Sequence, residues 1–252
     1  MRSWGRLFPL VIDRDNLGLA ARAAARGKNG RPGVIRFFAE LENKIDILHR
    51  DLRKGQYQPR EYRQFRVFDP KPRTISCADF RDRVVHHAVC DVLSPMWERR
   101  FIFDTFACRK GKGTHRAVLR AQEFAREFRF YLKLDVRKFF ESVSHDVLLE
   151  MINPMLREKQ LRSLLGVIIR HPVPGQNPGR GLPIGNLTSQ WFANLYLDGL
   201  DHWAKEYLRV PRYLRYMDDL LFFANSKGAL WRVHDEVSAF MDRNLRLTVK
   251  AE

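Results

Sequence analysis

Apolar residues recur along the chain at two periods, and the switches between them mark out its elements. Asn16 to Arg31 begins as an Ala/Arg-rich helix and breaks at Gly27, Gly30 and Pro32-Gly33. From Val34 to Lys54, Phe37, Leu41, Ile45 and Leu48 share one helical stripe. Tyr57 to Ser76 changes to short extended pieces, where Tyr62, Phe65, Val67 and Phe68 alternate with Arg63, Gln64 and Arg66, and Pro70 and Pro72 punctuate the run. The helical period returns over Asp79 to Trp97, with a stop predicted at Ser94-Pro95.

The middle of the chain is the most regular. Phe128, Phe130, Leu132 and Leu134 alternate with Arg129, Tyr131, Lys133 and Asp135, which predicts a strand with Asp135 at its end, opposite the apolar set. Helices are predicted over His145 to Leu156 and Leu161 to Ile169, then a Pro/Gly-rich loop from His171 to Gly185. Leu187 to Leu208 reads as one long helix with Trp191, Leu195 and Tyr196 towards a core. Tyr213 to Tyr216 and Leu220 to Ala224 are two extended runs joined through Met217-Asp218-Asp219, and a last helix covers Ala229 to Asn244. The order helix, strand, helix, hairpin, helix predicts an α+β layer, with helices on one face of an antiparallel sheet. No repeat or low-complexity tract interrupts it.

Composition adds a partner class. Hydrophobic residues make up 45% of the 252, enough for a folded core rather than a disordered chain. The net charge of +16 builds a positive field that attracts polyanions, nucleic acid foremost, though anionic membranes attract the same charge. Cys77, Cys90 and Cys108 are widely spaced, odd in number and without a zinc-ligand pattern, as expected of reduced thiols in a cytoplasmic protein. The apolar run Leu7 to Ile12 is cut at Asp13, too short for a secretory signal or a membrane span.

The chemistry concentrates at Tyr216-Met217-Asp218-Asp219. Adjacent carboxylates at a tight turn repel each other unless a cation neutralises them. An isolated Asp-Asp pair is usually a solvated turn. Here apolar strands flank it, and Asp135 ends another strand that can bring a third carboxylate to the same point. Hard oxygen donors of this kind suit Mg²⁺, which keeps several waters and takes further ligands from substrate phosphates. A pair of such ions, Mg²⁺ or alternatively Mn²⁺, is the expected cofactor.

Four ordered motifs carry a resemblance that runs from about Asn16 to the last residue. Tyr216-Met217-Asp218-Asp219 resembles the YxDD signature of reverse transcriptases, and Leu134-Asp135-Val136-Arg137-Lys138-Phe139-Phe140, leading to Ser144-His145, resembles their first palm motif. The run from Phe106 to His115 resembles a finger motif of bacterial group II intron enzymes, and the run from Gly181 to Gln190 resembles the next block. Group II enzymes read PQGxxxSP there, whereas Ile184 and Gln190 make it IGxxxSQ. That variant, with Asp82-Arg83-Val84-Val85-His86-His87, resembles the enzymes of diversity-generating retroelements. Defence-type and group II-intron-like reverse transcriptases share the same motifs.

The resemblance implies a right-hand polymerase fold, with fingers over residues 1–127 and a palm over 128–252. It also implies a thumb and primer-contacting hairpin that would follow Glu252, so fingers and palm alone are expected here. The metal ligands it implies are Asp135, the Val136 carbonyl, Asp218 and Asp219. Lys71 and Arg73 are expected against the incoming triphosphate. Phe140, five positions after Asp135, is expected to exclude a ribose 2′-hydroxyl, with Phe139 facing the core. Ile184 and Gln190 are expected at the nascent base pair. Arg109 is expected to hold a template phosphate or brace the fingers, with Lys110, Lys112 and Tyr216 also near nucleic acid. Lys250 stands near the place of a proton donor in the family. His86-His87, Trp191, Phe192 and Tyr196 are read as structural. Partners implied are an RNA template, a DNA or RNA primer, deoxynucleoside triphosphates and a basic accessory protein. The contrasting reading is a thumb-less, catalytically idle RNA-binding module, which retention of all three aspartates disfavours.

Overall fold

A computed structural model describes residues 3–68 and 72–250. The chain opens with α1 (Phe8–Ile12) and α2 (Arg14–Ala25). The Asp13 carboxylate caps α2 by accepting from the N–H groups of Asp15 and Asn16, so the helix starts ahead of the predicted Asn16. It ends two residues before Gly27, whose φ is +70°. Pro32, expected as a breaker, instead opens α3 (Pro32–Ala39), because a first-turn residue needs no N–H donor. The single stripe predicted over 34–54 is divided between α3 and α4 (Leu41–Arg53), with Glu40 non-helical at the join.

β1 (Arg63–Phe68) and β2 (Pro72–Cys77) form an antiparallel hairpin, from Arg63 opposite Cys77 to Phe68 opposite Pro72. α5 (Phe80–Glu98) passes through Pro95 and does not stop there. Burial of Met96 and Trp97 holds the last turn, each full burial contributing roughly 1.5–3 kcal/mol against the hydrogen bond that proline forgoes. α6 (Thr114–Glu127) was not singled out from the pattern, because its buried stripe is thin: Ala117 and Phe124.

Then come β3 (Phe130–Asp135), α7 (Phe139–Ser142), α8 (His145–Ile152) and α9 (Lys159–Arg170). α10 (Leu187–His202) passes into a π-turn at Trp203–Tyr207, shortening the long helix expected to Leu208. β4 (Tyr213–Tyr216), β5 (Asp219–Ala224) and α11 (Lys227–Phe240) complete the order.

Two compact units result, each built from two segments: Met1–Pro95 with His145–Trp191, and Met96–Ser144 with Phe192–Glu252. In the first, α1, α2 and α4 bury Val11, Leu17, Ala20, Ala21 and Leu48 against one another. The β1–β2 hairpin is tied there to the 171–186 loop, through the Ser76 N–H to the Ile184 carbonyl (2.9 Å) and the Gln64 amide to the Pro174 carbonyl (2.9 Å).

The second unit is organised on a three-stranded antiparallel sheet in the order β3-β5-β4. One face carries Leu134, Leu220, Phe222, Tyr213 and Arg215, all buried, with α11 packed against β3 and β5. The other face is half covered. α6 closes it over β4 and β5 through Phe124, Leu214 and Phe223, so helices lie on both faces rather than one. Towards β3 that face stays open, with Tyr131 exposed and Lys133 at the surface. The mixed architecture is the α+β, antiparallel-sheet arrangement the pattern predicts.

Candidate active site

Strand register brings the aspartates together. Asp135 is the last residue of β3 and lies directly opposite Asp219, the first of β5. Opposed residues of an antiparallel pair project to the same face. Both carboxylates therefore stand at the end of the open face, their side chains 40% and 42% exposed. Tyr216 closes the hairpin opposite Asp219, leaving Met217 and Asp218 as a two-residue turn. Met217 has a φ of +54°, the sign that hairpin turns of this length demand at their first position. Asp218 is half-buried beside it.

Lysines of the same unit neutralise this negative charge. The Lys133 ammonium lies 2.9 Å from an Asp219 oxygen, and that of Lys250 lies 3.6 Å from an Asp135 oxygen. Residues 248–250 run antiparallel to 135–137: the Lys250 N–H donates to the Asp135 carbonyl (2.8 Å) and that of Arg137 to the Thr248 carbonyl (2.9 Å), with Val136 bridged to Val249. This pairing places Lys250 at the aspartates. Among the described residues no three His, Cys, Asp or Glu side chains converge into a preformed metal cluster. The donor set still fits a hard divalent cation, which needs one or two carboxylates and fills its remaining positions with water and phosphate oxygens.

Beneath the hairpin is a buried polar cluster that the sequence reading missed. Arg215 is fully buried and grips Asp201 of α10 through two bonds, Nε to Oδ1 (2.8 Å) and Nη2 to Oδ2 (2.6 Å). Tyr213 donates its hydroxyl to Asp201 (2.7 Å), and Arg215 Nη1 donates to Asn194 Oδ1 (3.1 Å) and to the Met217 carbonyl (2.9 Å). Burial works against the charged guanidinium, but Asp201 outweighs it and holds the group above its ordinary pKa. The available signal was a charge on the apolar face of a strand, at alternation with Tyr213. Its partner could not be read from the sequence.

The other expected site residues fall as follows. Phe139 is buried and Phe140 half-exposed, their rings edge to face at 5.5 Å. Trp191, Phe192 and Tyr196 are core, as read. Tyr216 is half-buried, its hydroxyl 2.9 Å from that of Thr114. Arg109 is a brace: it bonds the Ile102 carbonyl (2.7 Å), the Thr105 carbonyl and hydroxyl (3.0 and 2.5 Å) and Glu98 (2.9 Å). Those bonds turn the guanidinium towards its own loop and Glu98, the bracing arrangement of the two expected for it. Lys112 likewise turns to its own loop, donating to the Phe103 carbonyl (2.7 Å) over the Phe103 ring, while Lys110 is exposed. All of these but Trp191 belong to the second unit.

Arg73, Ile184 and Gln190 belong to the first. Arg73 is exposed on β2, and Ile184 is half-buried in the loop bonded to that strand at Ser76. Gln190 is half-exposed in the first turn of α10. Lys71 lies outside the described residues. His86 is buried in α5, and burial pushes its imidazole down to about 3. Among the described residues no helix is long and apolar enough to cross a membrane.

The chain resembles known proteins in sequence and in fold. The chain is 26% identical over 220 residues to Protein YkfC of Escherichia coli (strain K12), covering 80% of this chain and 57% of that one. It is 24% identical over 170 residues to the group II intron-encoded protein LtrA of Lactococcus lactis subsp. cremoris, covering 64% of this chain and 28% of that one. It thus spans less than two thirds of either relative. Among solved structures, a chain of a partial Cas6-RT-Cas1--Cas2 complex matches with a TM-score of 0.53 at 19% identity, over 94% of this chain and 42% of that one. Telomerase from Candida albicans matches with a TM-score of 0.56 at 11% identity, over 78% and 43%. These two establish likeness of fold. A family model described as reverse transcriptase (RNA-dependent DNA polymerase) matches residues 67–252, well over half the chain. The chain belongs to the reverse transcriptase family.

Proposed function

We propose that this chain is an RNA-directed DNA polymerase that extends a primer 3′-hydroxyl with deoxynucleotides. The carrying observation is the register that sets Asp135 opposite Asp219 beside the Asp218 turn, on the open face of the sheet. Asp135, the Val136 carbonyl, Asp218 and Asp219 would hold divalent cations, Mg²⁺ or Mn²⁺. When bound, such ions make the 3′-hydroxyl a better nucleophile and neutralise charge on the departing pyrophosphate. The hydroxyl would give up its proton to water as its oxygen attacks the α-phosphate; a phosphodiester bond forms, the α–β phosphoanhydride bond breaks and pyrophosphate leaves. Lys133 and Lys250 hold the carboxylates' charge in balance until a cation takes their place.

The second unit, with the sheet and aspartates, is assigned to the palm and the first to the fingers. A palm over 128–252 and fingers over 1–127 then become an exchange of segments, with 145–191 joining the fingers and 96–127 the palm. Lys71 and Arg73 are assigned to the triphosphate, and Phe140 to exclusion of a 2′-hydroxyl. Lys110 and Tyr216 are assigned to the template–primer. RNA template, DNA or RNA primer and deoxynucleoside triphosphates are the substrates; a basic accessory protein rests on the resemblance alone. A cytoplasmic location is part of the same proposal.

The test is primer extension on poly(rA)/oligo(dT) with Mg²⁺. Wild type should extend, and Asp218→Ala/Asp219→Ala should lose extension by at least about a thousandfold. Extension by both would sink the assignment of the aspartates. Extension by neither would favour an RNA-binding module, or a polymerase that needs further parts.

A diversity-generating retroelement origin is the finer reading, supported by Ile184 and Gln190 in the IGxxxSQ block. Ile184 offers apolar contact where an amide could hydrogen-bond, and we attribute looser base discrimination to it. Ile184→Gln should lower misincorporation on a mixed RNA template, and equal error rates would refute the attribution. Similarity to LtrA favours the group II-like alternative, which shares the chemistry.

A further inference from the structure

The Arg215 side chain is fully buried and held from several sides. A guanidinium has five N–H donors, and here five acceptors meet them: both oxygens of Asp201, the side-chain and backbone oxygens of Asn194, and the Met217 carbonyl. Its backbone is tied as well, its N–H donating to the Asp104 carbonyl (2.9 Å) and its carbonyl accepting from Phe106 (3.0 Å). Four of the five side-chain acceptors lie on α10. The fifth belongs to the turn residue whose peptide leads into Asp218, and whose positive φ costs energy unless its surroundings over-determine it.

Stability does not explain such a cluster. A buried ion pair is about as stable as, or less stable than, an apolar pair of the same volume, and its strand neighbours show that this face accepts apolar residues. What an apolar side chain cannot do is hold the Met217 carbonyl. Resting on the reading of Asp218 and Asp219 as metal ligands, we propose that Arg215, anchored by Asp201 and Asn194, is a positioning residue. It clamps the hairpin tip to α10, so that the two carboxylates are presented in one fixed orientation to a divalent cation. Outer-shell groups of this kind typically change metal affinity by 10–100-fold.

The test separates clamping from packing by measuring Mn²⁺ binding calorimetrically on the full chain, alongside thermal melting. Arg215→Met/Asp201→Leu/Tyr213→Phe replaces the cluster with apolar volume and leaves no buried charge unpaired. It should melt near wild type yet bind Mn²⁺ at least about tenfold more weakly. Wild-type affinity in that folded variant would overturn the clamp. If the triple variant does not fold, Arg215→Lys decides in the same assay, since one ammonium cannot reach Asp201 and the Met217 carbonyl in the same geometry. Weakened Mn²⁺ binding by folded Arg215→Lys supports the clamp, and unchanged binding overturns it. Wild type that binds no Mn²⁺, or Asp218→Ala/Asp219→Ala that binds it undiminished, sinks the metal reading and the clamp with it.

Discussion

Arg109 shows how a residue's type and its use can part company. It lies in a basic finger-like motif, where holding a template phosphate and bracing the fold were both open to it, and its side chain is 6% exposed and bonded to Glu98, Ile102 and Thr105. Arg109→Lys cannot reproduce that fork and strands carbonyls that are already desolvated. It should lower stability by roughly 2 kcal/mol while leaving RNA affinity of the folded protein unchanged; a loss of affinity at unchanged melting temperature would restore the phosphate role. The place of the aspartates in the fold was easier to read. Asp135, Asp218 and Asp219 were legible because charge at a strand end and at a hairpin tip is costly, and so informative, before any fold is known.

Elements were legible where one local signal dominated and misread where tertiary burial overrode it. β3, β4 and β5 lie within about two residues of prediction, because alternation of apolar and polar positions survives in a half-covered sheet. The stop at Pro95 failed because Met96 and Trp97 bury the turn beyond it. The loop holding Ile184 gives a prediction at this scale. Gly185 has a φ of +117°, and a Cβ there would stand 2.9 Å from Cγ2 of Ile75 on β2. Gly185→Ala must therefore strain the backbone and push the loop from the strand, at about 1–3 kcal/mol. Under the proposed function the Michaelis constant for deoxynucleotide should rise several-fold with a smaller change in kcat; an unchanged constant would show that the loop lies away from the nucleotide.

Folding stability of the whole molecule should depend on pH through buried imidazoles. His86 is held near 3 by burial, then by the neighbouring His87 and His171, so it stays neutral in the fold and takes up a proton on unfolding below about 6.5. Its contribution is therefore complete above 6.5 and falls as pH drops towards 3, with a slope approaching about 1.4 kcal/mol per pH unit. Burial lowers His87 and His145 as well, in the same direction. Asp82, raised first by burial, acts oppositely: its contribution is complete below its ordinary pKa and is lost as pH rises through the raised one. Urea unfolding at pH 7 and pH 5 should show a smaller loss for His86→Leu than for wild type, and equal losses would place the acid sensitivity elsewhere.

The sequence by itself determined the strands and the place of the carboxylates along them, because period, charge and adjacency are local properties that need no contacts to be read. It determined the family too, through four ordered motifs. Only the tertiary structure decided that Asp135 faces Asp219, since register depends on which strands pair. It also decided that 145–191 joins the N-terminal segment, that residues 248–250 run beside β3, and that Arg215 pairs with Asp201 of α10. Each of these joins residues far apart in the chain, and burial, which selects such partners, is a property of the packed molecule.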